Sequence, residues 1–316
     1  MRPWAKRGRA GMARKPRGDA VDGVLLLDKP AGLSSNHALQ RARRLLGAAK
    51  AGHGGTLDPM ATGLLPLAFG NATKFSADLL EADKTYEATL RLGVVTDTGD
   101  AEGTVTARAA VEVSGEDLAE ACEHFTGEIE QVPPMHSALK REGRPLYELA
   151  RAGIEVERAP RRVRIHALDL LAYDPEAATA RVRVACSKGT YVRVLAQDIG
   201  ARLGCGAHLV ALRRERAGRL DLDQAVTLEQ LEAAPLAERR ALLARPDALL
   251  ASLPAVDLDA ALAARLLLGQ RLAIGSPLRG RVRVYGHEHE LLGTAQIDER
   301  GVLAPERLIA TQAATS

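Results

Sequence analysis

The residues best suited to chemistry lie in one stretch, Gly52 to Lys74, which reads GHGGTLDPMATGLLPLAFGNATK. Gly52, Gly54 and Gly55 make a backbone that can take φ > 0 or come close to another surface. Thr56-Leu57-Asp58-Pro59 then sets a carboxylate immediately before a proline. Pro59 suits the first position of a helix, and Asp58 suits the cap in front of it. After Gly63 the chain turns apolar, Leu64-Leu65-Pro66-Leu67-Ala68-Phe69, and reads as a short buried strand with a proline kink. The segment is a glycine-loosened loop presenting one carboxylate, backed by core. By residue preference alone, an Asp before Pro is a cap or turn residue, so a chemical role needs support from the rest of the chain.

Bulk properties narrow the field. The 316 residues are 46% apolar and 26% charged, as expected of a soluble globular chain with one large or two ordinary domains. Aromatics make up only 3%, so the core must be aliphatic. No apolar run approaches the roughly 18 residues of a membrane span, and the basic N-terminus lacks the apolar region of a secretory signal. Cys122, Cys186 and Cys205 are too few and scattered for a disulfide framework or structural zinc, which points to a reducing cytoplasm. The net charge is +3, but residues 1–18 carry seven cations and no acid. The remaining 36 cations face 40 acids, so the body is slightly acidic and any nucleic acid must meet a local basic surface.

Residues 1–20 lack apolar periodicity and read as a basic disordered tail. Val24 to Leu27 reads as a strand, and Ser34 or Ser35 caps a helix to about Leu46. Residues 72–82 are predicted helical, 84–93 a strand, and Asp97-Thr98-Gly99-Asp100 a turn. A helix is expected over 115–125 and another over 144–151, with an extended Gln131-Val132-Pro133-Pro134 between them. Residues 163–173 and 178–186 alternate as paired strands, and Ser187-Lys188-Gly189-Thr190 leads into a helix over 191–203. Residues 208–216 read as a strand. A Pro- and Ala-rich zone at 246–254 suggests a boundary between a body over 21–248 and a β-rich module over 252–316. This order of elements fits an α+β fold better than a doubly wound sheet. His287-Glu288-His289 lacks helical zinc spacing, and no phosphate-loop, dinucleotide or H-E-x-x-H motif is present.

Gly55-Thr56-Leu57-Asp58-Pro59-x-Ala61-Thr62-Gly63 resembles the catalytic motif of pseudouridine synthases. With Gly52-His53-Gly54 before it and Asn71-Ala72-Thr73-Lys74 after it, the string is similar to the bacterial TruB family. Further blocks agree in order: Asp28-Lys29-Pro30-x-Gly32-x-Ser34-Ser35, Lys84-Thr85-Tyr86, Gln131-x-Pro133-Pro134-x-x-Ser137-Ala138-x-Lys140, and Ser187 to Arg193. The similarity runs from about residue 21 to 312. Gly54-Gly55 departs from it, since Thr-Gly is common there.

The resemblance implies a mixed, largely antiparallel catalytic domain followed by a PUA-like module. It implies isomerisation of uridine to pseudouridine at position 55 in the T arm of tRNA, with no cofactor, no metal, no guide RNA and no need of an oligomer. Asp58 would be the catalytic carboxylate, with Arg193 as its partner and Tyr86 stacking on the flipped base. Tyr191 would pack beneath the site, Leu212 would line an apolar pocket, and His53 would fill the space the base leaves. Lys29, Lys74, Lys140 and Lys188 would contact substrate, with Arg41, Arg43, Arg44, Arg213 and Arg214 as further phosphate candidates. Rival readings are a guided or differently targeted synthase and a tRNA-binding protein without catalysis. If the tail meets RNA, deleting residues 1–18 should weaken binding at low salt and flatten its salt dependence while leaving turnover at saturating RNA unchanged. Filter binding across a salt series checks this, and an unaltered slope would exclude the tail.

Overall fold

The run Gly23–Lys29 is apolar through Leu27, and only Asp28 of its seven residues is not buried. A strand of that kind needs cover on both faces. It lies inside a ten-stranded sheet, in a computed structural model that describes residues 18–309 apart from 138 and 142 and the side chains of 140 and 141. The expected tail therefore falls almost wholly outside the described residues. The main path runs Val226–Thr227, Gly23–Lys29, Thr62–Phe69, Ala207–Ala217, Lys84–Leu92, Thr179–Cys186, Arg161–Asp174, Gly127–Gln131. Ala51–His53 pairs with Thr62–Phe69, and Leu220–Asp221 with Ala207–Ala217. Two pairings are parallel, Leu27 with Val226 and Arg213 with Thr62, and the others are antiparallel. The fold is thus the mixed, largely antiparallel α+β architecture expected.

Alternate residues of the central strands feed two cores. Leu25, Leu27, Leu65 and Leu67 point to a face covered by the helices Ser35–Leu45, Gly115–His124, Val192–Arg202 and Leu228–Ala233. Val24, Leu26, Leu64 and Ala68 point to the other face, where Phe75, Leu79, Leu249, Leu250, Tyr285 and Leu291 cover them. The last two belong to a second sheet of five strands, ordered Ala255–Asp257, Gly280–Tyr285, Leu291–Ile297, Val302–Leu308, Leu272–Ala273. Each fully buried leucine contributes about 1.5–3 kcal/mol, against about 0–1 for a surface ion pair, so these two aliphatic layers carry most of the stability. The Pro- and Ala-rich zone folds as a 3-10 turn, Pro246–Leu250, whose leucines fill the layer between the two sheets.

Two expectations fail. No helix starts at Pro59. The Ala61 N–H closes a single turn on the Asp58 carbonyl, and the Pro59 carbonyl accepts from the Gly32 N–H and from Lys29 Nζ. With that carbonyl used and a strand starting at Thr62, the chain has no room to wind. Residues 72–82 are not one helix but a 3-10 turn, Gly70–Phe75, followed by a helix Ser76–Glu81. Gly63 is required where it stands: its φ is +96°, and a Cβ would lie 2.4 Å from the Arg214 carbonyl across the parallel pair. Among the described residues no helix is long and apolar enough to cross a membrane.

Candidate active site

Arg193 opens the Val192–Arg202 helix, a poor place for a cation because the helix dipole is positive there. Its neighbours explain the choice. The guanidinium is 5% exposed, and its Nε lies 3.1 Å from Asp58 Oδ2 while Nη1 lies 3.2 Å from Asp100 Oδ2. Nη1 also donates to the Thr98 carbonyl at 3.2 Å and Nη2 to the His136 carbonyl at 2.7 Å. One buried cation is thus held between two carboxylates and two backbone oxygens. Asp58 is 37% exposed at its side chain, so one edge still faces solvent. Burial pushes its carboxyl above the usual 3.8, Arg193 pulls it back down, and Asp100 adds to the rise.

The loop carrying Asp58 is braced residue by residue. Ser34 caps its helix by accepting from the His37 N–H, which leaves Ser35 free to face inward. Ser35 Oγ accepts the Leu57 N–H at 2.8 Å and donates to the Leu57 carbonyl at 2.9 Å. Arg214, 1% exposed, donates from Nη2 to the Gly55 carbonyl at 3.3 Å and from Nε to Leu64 at 2.7 Å. Lys29 Nζ donates to Pro30, Leu33 and Pro59 carbonyls on the far side. Burial lowers the Lys29 pKa to about 8, with Asp58 opposing that fall.

Tyr86 sits on the Lys84–Leu92 strand directly opposite Arg214. Burial raises the pKa of its hydroxyl, and the guanidinium of Arg214 beside it works the other way. Leu212 stands two residues from Arg214 on the same strand, pairs with Ala88 and belongs to the main core. Tyr191 caps the Arg193 helix through its backbone. Its N–H donates to Gln131 Oε1 at 3.0 Å and its carbonyl accepts from Gln131 Nε2 at 3.3 Å. His53 ends the short Ala51–His53 strand. Its Nδ1 is buried without a hydrogen-bond partner among the described residues, and burial with the nearby Arg214 lowers its pKa.

Several expected substrate contacts are placed elsewhere. Lys29 is fully buried and spends its ammonium on backbone oxygens, so it braces the loop and cannot reach a phosphate. Lys74 donates to the Leu308 carbonyl at 2.7 Å, tying the second sheet to the first. Arg214 is a buried brace, Arg213 pairs with Asp28, and Arg41 pairs with Glu232. Arg43 turns back onto its own helix end. Lys188 is exposed and paired with Glu81. Lys140 lies in a short hairpin strand, and its side chain is outside the described residues. Asp100, Ser35 and Gln131 were not legible as site residues. The signal for Asp100 was a turn with two acids: Asp97 caps the Thr104 N–H, which leaves Asp100 for another partner.

Three family models match consecutive parts of the chain. They are the N-terminal domain of the TruB family pseudouridylate synthases over residues 43–192, the tRNA pseudouridylate synthase B C-terminal domain over 193–256, and the pseudouridine synthase II TruB C-terminal region over 254–309. A tRNA pseudouridine synthase B of Aromatoleum aromaticum (strain DSM 19018 / LMG 30748 / EbN1) is 61% identical over 293 residues, which is 93% of this chain and 94% of the relative. The chain belongs to the TruB family. A second relative of that name, from Ralstonia nicotianae (strain ATCC BAA-1114 / GMI1000), is 62% identical over 305 residues, covering 94% of this chain and 96% of its own. Among solved structures, a chain in a crystal structure of a Cbf5-Nop10-Gar1 complex is 25% identical with a TM-score of 0.71, covering 92% of this chain and 85% of that one. The TruB frame therefore extends over both sheets.

The geometry gives Arg193→Lys a definite outcome. A lysine keeps the charge but cannot span two carboxylates and two carbonyls at once. Pseudouridine formation in a single turnover should fall by about a hundredfold, the penalty of misplacing a reacting group by an ångström, with RNA binding held. A rate near that of the parent would mean that the fork geometry is not needed.

Proposed function

We propose that this protein converts uridine 55 in the T arm of tRNA to pseudouridine, acting on the RNA without a guide and with Asp58 as the catalytic carboxylate. The single observation that carries the reading is the Asp58–Arg193 contact of 3.1 Å, with the guanidinium buried and the carboxylate still open on one edge. A buried cation at that distance keeps the acid ionised and fixes its direction. A carboxylate so held is suited to assist departure of the base from C1′, as nucleophile or as base. The N1–C1′ bond breaks and a C5–C1′ bond forms; C5 gives up its proton and N1 takes one up, so atoms balance without a co-reactant.

The other residues take roles that fit their places. A base inside a folded loop must be extruded to reach Asp58. Tyr86 offers its ring for stacking and its hydroxyl, next to Arg214, for the C5 proton. Leu212 and Tyr191 wall the base, and the neutral imidazole of His53 fills part of the space vacated in the RNA. Of the remaining cations named from sequence, Arg44 and Lys188 are the exposed ones, Lys188 beside Glu81, and they are kept as phosphate contacts. The protein works as a monomer.

Two outcomes test this reading. Asp58 must be ionised, and its carboxyl is raised above 3.8, so the acid limb of the single-turnover rate should lie above that value and the rate should fall as pH drops through it. A rate flat down to pH 4 would remove the carboxylate from the mechanism. Asp58→Asn keeps the size and turn-forming ability of the side chain but removes the charge. A carboxyl raised in the fold is penalised when charged, so the variant should melt at or above the parent temperature near neutrality. Pseudouridine in a T-arm transcript, read by mass mapping with purified protein and no added RNA, should vanish while binding stays within about tenfold. Retained conversion by the folded variant would return Asp58 to a turn residue. Conversion by the parent only after a second RNA is added would favour a guided enzyme.

A further inference from the structure

The Ser76–Glu81 helix has six residues, far too few to hold its place by its own hydrogen bonds. Its position is set by what it is tied to, and it is tied to three things. Asp78, 10% exposed at its side chain, pairs with Arg281 of the second sheet, and Arg307 Nη1 lies 3.8 Å from its other oxygen. Arg281 is itself held by Glu306, which also accepts from the buried Thr294 hydroxyl. Leu79, next along, packs on Gly54 so closely that a Cβ there would meet the Leu79 Cβ at 2.6 Å. The carbonyls of Leu79 and Leu80 accept from the buried Lys84 Nζ at 2.8 and 3.0 Å, at the start of the Tyr86 strand. One short helix thus joins the second sheet, the backbone leading to Asp58 and the base of the Tyr86 strand.

We propose that Arg281 is a positioning residue for the isomerisation: through Asp78 it fixes the Ser76–Glu81 helix, and through Leu79 that helix fixes the Gly54–Leu57 segment ahead of Asp58. The kinetic part rests on the reading of the site given above. Removing either partner takes away the shorter ion pair, leaving Asp78 only the more distant Arg307 or Arg281 only Glu306, and the helix loses its direct tie to the Gly280–Tyr285 strand. A close-packed contact such as Leu79 on Gly54 transmits a shift of a fraction of an ångström, which is the scale that matters for an attacking carboxylate. Arg281 is not free to serve as a phosphate ligand, because Nη1 is taken by Asp78 and Nε by Glu306.

The test compares Arg281→Gln, Arg281→Lys, Asp78→Asn and the double variant Arg281→Gln with Asp78→Asn, all in the full chain with melting curves. Three quantities are read: the single-turnover rate at saturating T-arm RNA, the salt dependence of binding, and hydrogen exchange of the 54–57 peptide in the free protein. Positioning predicts a rate at saturation lower by roughly three- to thirtyfold in Arg281→Gln and in Asp78→Asn, with no further loss in the double variant. Exchange over 54–57 should quicken in each, while binding and its salt slope hold. Arg281→Lys keeps the charge for folding and should show a smaller loss of the same kind. A phosphate contact would instead flatten the salt slope by about one in Arg281→Gln and leave Asp78→Asn at the parent rate, which overturns the proposal. If the parent makes no pseudouridine, the functional reading fails by itself; the exchange arm still decides, and unchanged protection over 54–57 in folded variants overturns the positioning role.

Discussion

One buried guanidinium organises the site. Arg193 faces two carboxylates and two carbonyls from three different segments, the Asp58 loop, the Asp97–Asp100 turn and the stretch at His136. A desolvated cation left with neither carboxylate would be costly, and two anions left without it would repel. The arrangement therefore closes only when the loop, the turn and the helix are all in place, so assembly of the site and folding of the body are one event. The cations at the centre, Arg193, Lys29 and Arg214, are buried and already engaged. A polyanionic substrate must be drawn in by cations at the rim rather than by those at the centre.

A second pattern follows from the loops. Irregular backbone cannot satisfy its carbonyls through a sheet or helix ladder, and buried carbonyls need donors. Here long cationic side chains serve: Lys29 for Pro30, Leu33 and Pro59, Arg214 for Gly55 and Leu64, Lys84 for the end of a short helix. Each can satisfy several carbonyls from one point, which neutral side chains do less well. These cations were bought for architecture, and counting Lys and Arg overstates the surface available to RNA.

The sequence was most readable where a single period or a single motif decides the outcome. The strand Gly23–Lys29, the alternation from Lys84 to Leu92 and the paired strands up to Cys186 emerge close to where periodicity puts them. Asp58 and Arg193, 135 positions apart in the chain, were legible as partners only through the family pattern; the contact itself is tertiary. What residue preference got wrong shares one cause. Pro59 looked like a helix start and Lys74 and Arg214 like phosphate contacts because propensity and charge assume solvent around the residue. In the fold these groups meet backbone oxygens from distant segments, and no local signal reports that. Asp100 was hidden for the same reason, since an acid in a turn is ordinary until the partner above it is known.

The scarcity of aromatic residues gives the protein an optical simplicity. Its lone tryptophan, Trp4, belongs to the basic N-terminal stretch, and the body carries five tyrosines. Two of the five, Tyr86 and Tyr191, stand at the site, one on the strand facing Arg214 and the other at the mouth of the Arg193 helix. A protein whose core is packed almost wholly with Leu, Ala and Val absorbs and emits in the near ultraviolet chiefly through those few rings. With Trp4 replaced by a non-absorbing residue, tyrosine emission becomes a native reporter in which two-fifths of the fluorophores lie within electrostatic reach of Asp58.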